Sequence, residues 1–221
     1  MTFLTELTQA FREKASADNA GPMEAYMKHH FPFYGIKAPL RKSITKQIWS
    51  LHKAEVTNNA REIGLTLLHQ KQREYQYAAM EILEKELRGK FEKSDIKLIE
   101  VTITTNSWWD TVDFLAKYLL GNYLTQFPEE TETVISRFSD SENMWLNRSA
   151  ILFQLGYKSK TDVALLFALC EKHSNSSEFF IQKAIGWALR EYAKTDPKTV
   201  MQFVSQTTLK PLSSREALKN L

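Results

Sequence analysis

From residue 109 onward the sequence spaces several side chains that can manage positive charge. Trp109, Asp113 and Lys117 stand at i, i+4 and i+8, one face of a helix if "NSWWDTVD" (106–113) opens one. A carboxylate and a lysine beside an indole is not a choice a packed core would make. In "EFFIQKAIGWALREYAKTDP" (178–197), Lys183, Trp187, Arg190 and Lys194 fall at i, i+4, i+7 and i+11, a tryptophan among three cations. Between them, "ENMWLNRSAILFQL" (142–155) has Arg148 as its one cation, and an arginine in so apolar a segment implies a specific anion, an internal carboxylate or a phosphate. Indole faces attract cations, and a carboxylate in a poorly solvated cleft stabilises one strongly.

A second set lies near the N-terminus. "AYMKHHFPFYGIKAPLRKSITK" (25–46) interleaves Lys28, Lys37, Arg41, Lys42 and Lys46 with Tyr26, Phe33 and Tyr34. Cations bind phosphates and flat apolar rings meet sugars or bases, so this mixture suits a surface that tracks a nucleic-acid backbone. His29 and His30 are adjacent, point to different sides of a helix and have no third ligand at useful spacing, so no metal site is expected.

If the two sets share a groove that holds DNA, the chemistry narrows. Cleavage of an N-glycosidic bond passes through an oxocarbenium-like sugar and needs an acceptor for the attacking water's proton. Asp113 serves both needs. A single carboxylate suffices when the leaving base already carries positive charge, as an N3- or N7-alkylated purine does.

Positioning these residues falls to helices. Phe3, Leu4, Leu7, Ala10 and Phe11 follow the spacing of one buried helix face, and similar patterns recur to the end of the chain. Pro22, Pro39, Pro128 and Pro197 read as first-turn prolines, and Ser94, Asn106, Ser141 and Ser177 as N-caps. The β-branched run "KLIEVTITT" (97–105) is read as a short helix because of its flanks. Quartets starting at Gln76, Thr111, Asn147 and Gln182 recur at spacings of 35, 36 and 35 residues, each with an aromatic just upstream: Tyr75, Trp108, Trp145 and Phe180. A helix–turn–helix period of this length predicts an all-α chain, an α-solenoid of stacked helix pairs with the quartet helices lining its concave face. On the wheel Trp108 turns to the core and Trp109 to the groove. Ala217, Leu218 and Leu221 continue one more amphipathic pattern.

Bulk composition excludes other classes. A chain of 221 residues with net charge +3 buries a core without staples, and one solenoid domain over 1–221 is expected. The single cysteine, Cys170, lies in "VALLFALC" and reads as a core residue. There is no phosphate-binding glycine loop, no secretory signal and no apolar run long enough for a membrane span, so a cytoplasmic protein is expected.

Five segments together resemble a known family: "YMKHHFPFYGIKAPLR" (26–41), "REYQYAA" (73–79), "SWWDTVD" (107–113), "WLNRSAILFQL" (145–155) and "FFIQKAIGWALREYAKTDP" (179–197). In order and over most of the chain, they are similar to the AlkD-type DNA alkylation repair proteins, the HEAT-like-repeat alkylpurine DNA glycosylases. The resemblance implies a concave face cradling duplex DNA. It implies excision of 3-methyladenine- and 7-methylguanine-type lesions without a base-flipping pocket, and use of no cofactor or metal. It places the catalytic carboxylate on Asp113, the cleft tryptophans on Trp109 and Trp187, and a backbone-contacting arginine on Arg148. Lys183, Arg190, Lys194, Tyr26, Lys28, Lys37, Arg41 and Lys42 are the further expected DNA contacts. The protein would act as a monomer on double-stranded DNA containing alkylated purines, nucleoid-associated when bound, with no obligate protein partner. Lys37-Ala38 replaces polar, uncharged residues of relatives, and Lys42 replaces a second arginine. The competing readings are a non-catalytic binder of damaged or branched DNA on the same solenoid and a helical-repeat protein–protein scaffold.

Overall fold

The computed structural model describes residues 1–219, so the expectation for Leu221 lies outside the described residues. Among them every regular element is helical, as the apolar periodicity requires, and the α-solenoid class agrees with this. The chain divides into two compact units, Met1–Lys90 and the segment from Phe91 on.

The first unit contains α1 (Phe3–Glu13), α2 (Ala17–Tyr26), α3 (Ala38–Leu51), α4 (Lys53–Asn58), α5 (Ala60–Leu68) and α6 (Arg73–Leu87). Phe3, Leu7 and Phe11 of α1 bury against Ile44 and Ile48 of α3, Ile63 and Leu67 of α5, and Tyr75 and Ile82 of α6. Pro22 is not a first-turn proline: it lies inside α2, a helix with no buried residue that loses one backbone bond without exposing a core. The loop from α2 to α3 is held by a fully buried carboxylate. Glu74 accepts the backbone N–H groups of Tyr34 (3.1 Å), Gly35 (3.0 Å) and Ile36 (3.0 Å). Gly35 has φ +85°, and a Cβ there would lie 2.1 Å from the Ser16 carbonyl oxygen, so only glycine lets the loop pass.

The second unit contains α7 (Asp95–Thr104), α8 (Trp109–Phe114), α9 (Gly121–Gln126), α10 (Thr131–Ser139), α11 (Met144–Leu152), α12 (Val163–Lys172), α13 (Phe179–Ala193), α14 (Pro197–Gln206) and α15 (Pro211–Ala217). The ambiguous 97–105 run is the helix α7. Its neighbour Asn106 adopts φ +49° just beyond the helix end, and Trp108 rather than Asn106 stands at the N-cap position of α8. Asn143 caps α11, accepting from the Trp145 N–H at 2.9 Å, so Ser141 and Ser177 miss their caps by two residues and one. Between α8 and α9 the rod continues through a π-helical stretch, Leu115–Leu120. Tyr157 Oη (2.5 Å) and Thr125 Oγ1 (2.8 Å) both donate to the Gly121 carbonyl just past it. Cys170 is fully buried in the α12–α14 core, and burial pushes its thiol far up, so it is the packing residue the sequence suggests.

The 35-residue rhythm has a physical content. The first residue of each of three quartets uses its side-chain amide to close the turn before its helix. Gln76 donates to the carbonyls of Leu68 (3.2 Å) and Gln70 (2.5 Å). Asn147 donates to Phe138 (2.9 Å), Ser139 (3.2 Å) and Ser141 (2.9 Å), and Gln182 to Ser176 (3.1 Å) and Ser177 (3.3 Å). These amides satisfy carbonyls that the preceding helices α5 and α10, and the turn after α12, leave open. Thr111 departs from the scheme and bonds the Trp108 carbonyl at 3.2 Å.

Candidate functional site

Asp113 occupies the last turn of α8, one turn beyond Trp109. Arg148 of α11 meets it with two bonds, Nε to Oδ1 at 2.7 Å and Nη2 to Oδ2 at 2.9 Å. The third arm, Nη1, donates to the Phe180 carbonyl of α13. Side-chain exposure is 15% for Asp113 and 5% for Arg148. Of the two anions open to Arg148 in the sequence, the structure supplies the internal carboxylate. The guanidinium expected on a phosphate is turned inward, where its fork fits a carboxylate edge to edge.

Burial pushes the Asp113 carboxyl above the usual carboxylate range. The Arg148 bonds pull it back only in part, and the neighbouring negative charge of Asp110 adds to the rise. The result is a fixed, poorly hydrated base. A carboxylate has about four lone-pair sites, of which the chelate uses two.

An aromatic cluster adjoins the Arg148 side of this pair through Phe180. Trp108 lies 5.8 Å from Trp145 and 5.1 Å from Phe180, and Trp145 lies 5.1 Å from Phe180, ring centroid to centroid. The Arg148 guanidinium carbon stands 5.9 Å from the Phe180 ring centre. Trp108 is therefore half-buried in an aromatic cluster, not a core residue as the wheel suggests. Trp145 and Phe180 belong to the site although helix wheels do not select them. The signal was present in the rhythm, since they are two of the aromatics that precede each quartet. Trp109 is half-buried, and Trp187 packs on the core of the unit about two turns beyond Phe180 along α13.

Lys117 leaves the expected face. The π-helical stretch begins two residues after Asp113, and Lys117 lies against Gly156 with its Nζ 4.8 Å from the Tyr118 ring centre. The basic stripe of α13 is also split. Lys183 and Arg190 flank Gly186 and turn to α15, where Glu216 bridges them: Oε1 to Lys183 Nζ at 3.0 Å, Oε2 to Arg190 Nη1 at 2.7 Å. These two cations hold the Glu216 carboxyl down at about 2. Lys194 pairs with Glu191 at 2.5 Å and is largely exposed.

In the first unit Arg41, expected on DNA, is buried. It forks onto Glu81 at 2.9 and 3.1 Å and lies 4.9 Å from the Tyr77 ring centre. Lys28, at φ +55°, Lys37, at the N-cap position of α3, and Lys42 are exposed, and Tyr26 is 66% exposed. Among the described residues no group of three His, Cys, Asp or Glu side chains could hold a metal ion, and no helix is long and apolar enough to cross a membrane.

An all-helical chain with a desolvated carboxylate forked by an arginine that also meets an aromatic cluster defines a class, and the comparisons identify it. Residues 7–221 match the family model described as DNA alkylation repair enzyme, and the chain belongs to that family. Among solved structures it is similar to a predicted DNA alkylation repair enzyme from Enterococcus faecalis, with 33% identity and a TM-score of 0.85 over 94% of this chain and 96% of that one. No curated protein matches the chain significantly.

Proposed function

We propose that this member of the family is a monofunctional DNA glycosylase that excises cationic alkylpurines, of the 3-methyladenine and 7-methylguanine type, from duplex DNA. The observation that carries this reading is the Asp113 carboxylate, held by Arg148 with lone pairs to spare and made more basic by burial. As the N-glycosidic bond breaks, its electron pair moves onto the positively charged purine, which leaves neutral. Positive charge grows on the sugar, facing the carboxylate and the indoles of Trp109 and Trp187. Water attacks C1′ and its proton passes to Asp113, leaving an abasic site and an intact backbone.

In this reaction Arg148 orients Asp113. Phosphates are met by exposed cations, Lys28, Lys37, Lys42 and Lys194, with Tyr26 beside the first of them. The reaction as proposed uses no metal or cofactor, and the protein works alone on DNA, as one HEAT-like-repeat domain, in the cytoplasm on the nucleoid.

The test is release of free base from methylated duplex DNA under single turnover. Asp113→Asn should lower the rate by about two to four orders of magnitude, the usual contribution of a positioned acid–base group, while duplex binding persists. Wild-type rates in that variant would discard the mechanism. Duplex binding without release by either protein would place the chain among non-catalytic DNA binders.

A further inference from the structure

Helix α13 carries a glycine where a helix gains nothing from one, since an interior glycine costs about 1 kcal/mol relative to alanine. Its environment accounts for it. A Cβ on Gly186 would lie 2.4 Å from the Glu216 Cβ and 2.9 Å from the Ser213 carbonyl oxygen. The missing side chain lets α15 settle directly on α13, and Ser213 Oγ donates to the Gln182 carbonyl at 3.1 Å beside that contact. Lys183 and Arg190 stand at i−3 and i+4 from Gly186, so the same close approach delivers the Glu216 carboxylate between them. Arg190 is gripped a second time, Nη1 donating to the Glu216 backbone carbonyl at 3.0 Å. The two cations keep side-chain exposures of 37% and 24%, but one carboxylate serves both.

On either side of Trp187, the residue that the proposed reaction sets against the sugar, the nearest cations of α13 are thus already paired. We propose that Glu216 is a specificity-determining residue, an internal counter-charge that withholds Lys183 and Arg190 from DNA phosphates. The inference rests on duplex DNA being the ligand of this unit. Its consequence is a weaker grip on undamaged duplex: two cations that would each release counterions on binding do not, and the phosphate contacts are left to the exposed cations.

Binding of an unmodified duplex oligonucleotide, followed by fluorescence anisotropy across roughly 50–200 mM salt, reads this directly, because each phosphate engaged adds about 0.9 to the slope of log K against log salt. Glu216→Gln keeps the shape of the side chain and should steepen the slope by about 1–2, with binding tighter at low salt. Lys183→Gln or Arg190→Gln should leave the slope unchanged while Glu216 is present and should cancel the gain when combined with Glu216→Gln. An unchanged slope in a folded Glu216→Gln protein would overturn the proposal. So would a shallower slope in either single cation variant, which would show those cations on phosphate already; these two variants decide the matter alone if Glu216→Gln does not fold. Absence of binding to the unmodified duplex by wild type and variant alike overturns this proposal, while the glycosylase reading stands or falls on base release from methylated duplex. Failure of base release with the predicted slopes intact overturns the glycosylase reading only.

Discussion

Asp113 and Glu216 are similarly exposed carboxylates, 15% and 14%, and each accepts from an arginine, yet their acidities are displaced in opposite directions. Glu216 answers two cations and is held at about 2, a settled anion whose charge is spent on its partners. Asp113 answers one cation, with Asp110 near, and burial leaves it more basic than an ordinary carboxylate. A salt bridge therefore does not tell whether a carboxylate is available for chemistry. The number of partners and the surroundings do.

The contrast can be broken most forcefully at the arginine. Arg148→Ala strips both bonds from a desolvated carboxylate and should lower unfolding free energy by about 3 kcal/mol in urea denaturation. Adding Asp113→Asn should return a good part of it, since the unpaired charge is then gone. Additive losses would mean that the pair is not coupled. Removing one of the two partners of Glu216, as in Lys183→Gln, should cost less than about 1 kcal/mol, because Lys183 itself is 37% exposed and Arg190 remains.

Next in size is Gly186→Ala, whose methyl group has no space between α13 and α15. Overpacking should exceed the gain in helix propensity and lower stability by about 1–2 kcal/mol, seen as a lower Tm. A stabilised variant would show that α15 moves aside easily and that its charge bridge is incidental.

The smallest effect sharpens the comparison by pH. The Glu216 carboxyl is more acidic in the folded protein, so the advantage of wild type over Glu216→Gln is present above about 4.5 and falls as pH drops towards about 2. The Asp113 carboxyl is less acidic when folded, so wild type loses stability relative to Asp113→Asn as pH rises through the displaced value. Base release should rise with pH through that same value. Stability slopes of the same sign for both carboxylates would erase the distinction.

Helix identity was legible because apolar residues recur at helical spacing over nearly the whole chain, and Asp113 was legible because a carboxylate one turn from an indole has no place in a core. What wheels do not carry is arrival from another helix. Nothing local marks Glu216 as the partner of Arg190, 26 residues earlier, although Gly186, midway between Lys183 and Arg190, announces that some backbone comes close there. The choice for Arg148 between carboxylate and phosphate likewise depended on which helix α8 faces. Cap assignments slipped because several Ser and Asn residues crowd each turn and compete for the same few N–H groups. The π-helical stretch has no residue signature, and the wheel drawn through it misplaced Lys117.

That stretch has a consequence of length. A π-turn is an α-helix carrying one surplus residue. Closing Leu115–Leu120 back to α geometry with the same number of residues would turn everything before it by about 100° about the helix axis relative to everything after it, whereas removing the surplus residue would leave the two ends in register. Asp113 and Trp109 lie before it, while Leu119 and Leu120, which anchor the rod in the core, lie within it. The direction in which the carboxylate points is thus set by a count of residues. A relative with the same side chains and an unbroken α-helix from 114 to 121 would aim them the same way only with one residue deleted there; with the count unchanged it would keep the chemistry of each group and aim it elsewhere.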